Sequence, residues 1–167
     1  MAHVRIFRKM DRNQDDAQVQ VEGCGALWDL AVNDDANKVT LMAAEAHLRI
    51  IRAMDRHQDD AKVQENACGA LWNLALNDAN NVTLVAAAAH VHIIRAMDRH
   101  QDDAQVQENA CGALWSLAAN NANKVTLVEP KRTCASSARW TGTKMTRECR
   151  RRHAARSGTS RSTTPTR

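Results

Sequence analysis

Tyrosine is absent from the 167 residues, phenylalanine occurs once, and aromatic residues total 3%. A core with so few rings has to be assembled from Ala, Leu, Val and Ile, which the 44% hydrophobic content supplies. Only two Pro and six Gly interrupt the chain, so its Ala- and Leu-rich composition leans towards helix. No apolar run approaches the roughly 18 residues of a membrane span, which excludes a transmembrane reading. The opening MAHVRIFRKMDRNQDD lacks the apolar centre of a signal peptide. The five Cys are therefore read as thiols of a reducing compartment rather than a disulfide scaffold.

The net charge of +4 conceals two compositions. Residues 1–129 carry 12 basic and 18 acidic residues, a net −6, whereas residues 130–167 carry 11 basic residues and one acidic. The junction falls near Pro130. The basic partner chemistry suggested by a sequence pI near 9.0 thus belongs to the tail alone.

Within the acidic body one segment occurs three times. HVRIFRKMDRNQDDAQVQVEGCGALWDLAVNDDANKVTL begins at His3, HLRIIRAMDRHQDDAKVQENACGALWNLALNDANNVTL at His47 and HVHIIRAMDRHQDDAQVQENACGALWSLAANNANKVTL at His90. The period is 44 and then 43 residues, the difference lying in the loops NDDANK and NDANN. Such a period with helical patterning inside each unit predicts an all-α solenoid of three repeats, 3–46, 47–89 and 90–129. In the third unit, Val91, Ile94 and Met97 mark an amphipathic helix from His90 to Arg99. A longer helix runs from about Asp103 to Ala119, with Asp102 as its N-cap and Gln105 at the third position of a capping box. An Asn-rich loop and a short helix complete the unit.

The long-helix motif VQENACGALWNLALND resembles the third helix of an armadillo repeat, and it recurs in all three units. The resemblance covers about residues 3–128. It implies a right-handed superhelix of three-helix repeats with a concave groove that binds extended protein segments. Three departures matter. Ala46 with His47, and Ala89 with His90, stand where the family usually places Gly-Gly, so the short helix is expected to run on into the next helix. Of the ladder asparagines of the importin-alpha type, only Asn73 is matched, with Asp29 and Ser116 in the other copies. That subfamily's ladder tryptophans fall on Gly25, Gly69 and Gly112, so its nuclear-signal recognition is not expected here.

At about 100° per residue, Val63, Ala67, Ala70, Leu71 and Leu74 share one arc, the expected core face. Trp72 lies nearly opposite, beside Glu65 and Gly69; Trp115 lies with Glu108 and Gly112, and Trp28 with Val21 and Gly25. Two readings follow: ordinary packing against the neighbouring repeat, or a column of Trp28, Trp72 and Trp115 along the groove. The second is favoured, because Trp joins large apolar contact to a polar N–H. Gly69 and Gly112 would leave room for a ligand backbone, and Asn33, Asn77 and Asn120 read as helix-end caps. Cys24, Cys68 and Cys111 read as small packed residues. Asp55, His57, Asp59 and Asp60 lack the spacing of a calcium loop. No catalytic set, cofactor loop or metal site is expected.

The expected function is a non-enzymatic protein-interaction module, cytoplasmic or nuclear, whose acidic body, with Glu65 and Glu108 near the indoles, suits a basic or apolar partner segment. Uncapped ends leave self-association open. The rival reading is a nucleic-acid-binding or nuclear-targeted protein using the Arg-rich tail, testable by its salt dependence. The tail composition predicts disorder. Shifting the frame by one base and choosing permitted codons, Lys131 onward can read AHVRIIRAMDRHQDDARVQE and, from His153, CGALWNLAVDDAN. The tail is therefore expected to be an out-of-frame fourth repeat, and the chain a truncated part of a longer array.

Overall fold

The computed structural model describes residues 2–32, 34–120 and 123. Eight helices and no strand occur among them, in the order α1 (Ala2–Arg12), α2 (Ala17–Ala31), α3 (Asp35–Ala43), α4 (Ala46–Arg56), α5 (Ala61–Ala75), α6 (Asp78–Ala86), α7 (Ala89–Arg99) and α8 (Ala104–Ala119). The elements repeat as a medium, a long and a short helix, the pattern of an armadillo-like α-solenoid. The basic segment 130–167, with its expected disorder and out-of-frame origin, lies outside the described residues, as does Asn33.

Each long helix starts at the second acid of the DD pair. Asp16, Asp60 and Asp103 are extended N-caps whose carboxylates accept backbone N–H bonds of the first turn. The cap thus lies one residue beyond the Asp102 expected from sequence, and Gln105 is not in a capping-box position. The buried Gln two residues later does more. Gln64 Nε2 donates to Met54 O and His57 O, both at 2.9 Å. Gln20 and Gln107 repeat the arrangement on Met10 and Asn13, and on Met97 and His100. Each amide satisfies carbonyls left over at the end of the preceding helix, which fixes the angle between the two helices.

The short helices do not run on. The chain reverses at Glu45 and Ala88, with φ of 57° and 58°. These are left-handed conformations that usually call for glycine, so a side chain is held under local strain at the position just before each pair that stands for the family's Gly-Gly. The bends let Ala46 and Ala89 start the next helix fully buried.

Packing follows the predicted arc. Val63, Ala67, Ala70, Leu71 and Leu74 are at most 1% exposed and join one core running through all three units. Cys24, Cys68 and Cys111 lie buried in it. Desolvation pushes the Cys24 thiol up to about 12 and raises that of Cys68 as well, so both stay protonated and unreactive. The long helices α2, α5 and α8 stack most closely from unit to unit.

Candidate functional site

The long-helix layer carries every residue singled out as a binding candidate, and small residues let its helices approach. A Cβ added to Gly69 would lie 2.5 Å from Trp28 Cε3, and one added to Gly112 would lie 2.6 Å from Trp72 Cδ2. Each indole therefore rests on the glycine of the following unit. The room beside Gly69 and Gly112, expected from sequence to admit a ligand backbone, is filled by the chain's own tryptophans. The helical wheel placed each Gly beside the Trp of its own helix; stacking places it beneath the Trp of the preceding one.

The indoles are not lost to the core. Trp28 and Trp72 pack against its edge while remaining half-buried, and Trp115 is 46% exposed. One turn beyond them lies a second apolar row, which sequence reasoning did not select. Val32 is 39% and Leu76 52% exposed. Positions four apart share a helix face, so Trp28 with Val32 and Trp72 with Leu76 form a two-residue-wide strip that repeats from unit to unit. The signal is in the sequence, in the four-residue spacing from Trp28 to Val32 and from Trp72 to Leu76.

The polar candidates divide. Asn73 is half-buried, and its side-chain amide hydrogen-bonds to none of the described residues. Glu65 is largely covered, and Lys62 Nζ meets its carboxylate at 2.7 Å. That pairing offsets the negative charge expected beside Trp72 and raises the Lys62 ammonium above its ordinary value. In the third unit Gln105 stands where Lys62 stands, so Glu108 has no lysine at the corresponding position. Asn77 caps α6 by accepting from Ala79 N at 3.1 Å, and Asn120 Nδ2 reaches Asp78 O of the preceding unit. The Asn66 and Asn109 amides, not anticipated, also tie unit to unit, donating at 3.1 Å to Val21 O and Glu65 O.

The acids once weighed as a metal site have other employment. Asp55 meets His92 Nδ1 at 2.9 Å, Asp59 pairs with Arg99, and Asp60 caps α5. His57 Nε2 lies 2.7 Å from Gln14 O. His47 and His90 have Nδ1 buried without a partner, and desolvation lowers both imidazoles below their ordinary value. No cluster of three or more potential metal ligands occurs among the described residues. No described helix is long and apolar enough to cross a membrane.

Among known proteins, the profile of the LRRK2 ARM repeat family matches residues 2–138. No curated protein and no solved structure matches the chain.

Proposed function

The chain belongs to the LRRK2 ARM repeat family, and from that premise we propose that it is a non-enzymatic interaction module that binds an extended protein segment along its long-helix layer. A stack packed closest on one side curves towards that side, and α2, α5 and α8 stack closest, so their layer lines the hollow of the array. The observation that carries the reading is the strip of half-exposed indoles and exposed aliphatics, Trp28 and Val32, Trp72 and Leu76, continued by Trp115. Stacked helices lie about 8–10 Å apart, and an extended segment of polyproline-II geometry rises about 3.1 Å per residue with three residues per turn. Each unit would therefore take about three partner residues, with every third side chain on the strip.

The partner is an extended segment with regularly spaced apolar side chains. Asn73, whose amide bonds no described residue, supplies the donor and acceptor that a main chain requires.

A phage-displayed random dodecapeptide library tests this. Selected peptides should share apolar residues at three-residue spacing and shift the Trp emission on binding. Leu76→Asp, on an exposed position, should weaken them about tenfold or more with the melting temperature held. A library that yields no binder, or binders indifferent to both Leu76→Asp and Asn73→Ala, overturns the reading.

A further inference from the structure

Each short helix meets the next first helix at an elbow, and both elbows enclose a histidine. The chain bends at Glu45 between α3 and α4 and at Ala88 between α6 and α7, each with a left-handed backbone. Ala46 and Ala89 then enter the core, and His47 and His90 follow in the first turn of α4 and α7. His47 is 5% exposed, and in both rings Nδ1 is buried without a hydrogen-bond partner. With its hydrogen on Nε2, the neutral ring leaves Nδ1 only an unfilled acceptor. The cation turns Nδ1 into a buried N–H with nothing to receive it, which is the costlier orphan. The first turn of a helix adds unpaired backbone N–H groups and the positive end of the helix dipole, both of which oppose a cation.

The surroundings do not offset that cost. Burial lowers both imidazoles below their ordinary value of 6.5; Glu45 favours the His47 cation by less than burial opposes it, and His92 opposes the His90 cation as well. The charges on the neighbouring elements are held elsewhere. Lys38 of α3 pairs with Asp35, Arg49 of α4 pairs with Asp11 while donating to Ala44 O at 3.0 Å, and Lys62 of α5 pairs with Glu65. Asp78, the charge of α6, stands at the far end from the elbow. Further along the first helices, Arg52 and Arg56 pair with Asp11 and Asp15, Arg95 and Arg99 with Asp55 and Asp59, and Asp98 lies two turns beyond His90. Glu108 of α8 stands by repeat position opposite the core arc. The junction histidines take a proton without loss. His57 and His100 donate from Nε2 to Gln14 O at 2.7 Å and to Gln58 O at 2.8 Å, which the cation does equally well, and His92 gains a charged pair with Asp55.

We propose that the two elbows are an acid-sensitive hinge: on mild acidification His47 and His90 take up a proton and turn out to solvent, which frees each short helix from the first helix that follows it while the long-helix stack stays closed. The elbow is where the fold gives most readily. Glu45 and Ala88 already hold strained backbone, and α3 and α6 are only nine residues long. The long helices lose nothing, because Gln64, Asn66 and the indole–glycine contacts use groups that do not titrate. For a ring whose folded value is depressed, stability is fully present above 6.5 and is lost as pH falls from there through the folded value. The hinge lies between the short and first helices, so it does not rest on what the groove binds.

Histidine ring NMR of the full chain, titrated from about pH 8 to about pH 5, reads the uptake of protons. His47 and His90 should keep their neutral-ring shifts as the pH passes below 6.5. Amide hydrogen exchange at the two ends of that range, corrected for intrinsic rates, reads the opening. Protection over residues 46–50 and 89–93 should fall about tenfold or more on acidification, while α5 keeps its own. His47→Leu with His90→Leu removes the titration and should abolish the loss. Should that pair of changes disturb the fold, His47→Gln with His90→Gln keeps a polar side chain at each elbow and should give the same result. Rings that titrate at or above 6.5, elbow protection that does not change, a loss shared equally by α5, or variants that open in acid as the parent does overturn the proposal.

Discussion

Along the long-helix seam, Trp28 lies on Gly69, Trp72 lies on Gly112, and Ala67, Cys68 and Ala110 are sealed from solvent between the helices. Along the first-helix seam of the same junctions, Asp11, Asp15, Asp55 and Asp59 face Arg49, Arg52, Arg56, His92, Arg95 and Arg99, mostly in contact with water. Both seams recur at both junctions, but they do different physical work. Burial of apolar area supplies most of the free energy that holds stacked helices together. Exposed ion pairs supply little, because water screens them and two long side chains must be ordered to make them. What the charged seam contributes is register: an Asp meets an Arg only when the units are aligned, whereas small apolar residues tolerate sliding. The charged seam selects how units stack, and the apolar seam decides how firmly.

The sharpest contrast comes from the apolar side. Leu74 is wholly buried in the second unit. Leu74→Ala should lower stability by about 2–5 kcal/mol through the cavity it leaves, read by chemical denaturation. An effect below 1 kcal/mol would break the assignment of stability to this layer. If the indole lay on the groove face opposite the core arc, as the wheel places it, Trp72→Ala would cost little stability. The indole over Gly112 changes that expectation to a measurable loss, because its removal empties part of a junction.

A smaller effect tests whether the indole–glycine contact is one unit. Gly112→Val places side-chain carbons where the Trp72 ring lies and should cost about 1–3 kcal/mol by overpacking. In the Trp72→Ala background much of that cost should vanish, since the obstructing ring is gone. Additive losses in the double-mutant cycle would show that the ring and the glycine act separately.

The smallest effect belongs to the charged seam. Hydrogen bonds from Arg56 and Arg99 hold the Asp15 and Asp59 carboxyls below their ordinary value of 3.8. A carboxylate whose folded value is depressed adds stability that is fully present above the unfolded value and lost as pH falls through the folded one. Stability from these pairs should therefore be flat at neutral pH and fall below about pH 4. Asp15→Asn with Asp59→Asn should flatten that acid limb and lower the melting temperature at pH 7 only by the same small amount that the limb loses. A large loss at pH 7 would move the charged seam from register to stability.

Much of the fold was legible because it is periodic. The 44- and 43-residue spacing fixed the number of units, and the Val63–Leu74 arc named core residues that are all buried. The start of the long helix was read one residue early, because either acid of a DD pair can cap and only backbone conformation selects Asp103. The reversals at Glu45 and Ala88 were missed because nothing in an Ala-rich run announces a positive φ. For the site, the exposed side of Trp28 and Trp72 was legible from the wheel, and their seats on Gly69 and Gly112 were not.

The sequence by itself determined the solenoid, its unit length, the apolar arc of each helix and the row of indoles, since each depends on spacing along one chain. Tertiary structure alone decided which glycine meets which indole, that Asn66 and Asn109 tie unit to unit, and that Gln64 ties two helices together. These are relations across 40 or so positions or across two helix axes, and they arise only when burying the apolar arcs brings one unit against the next.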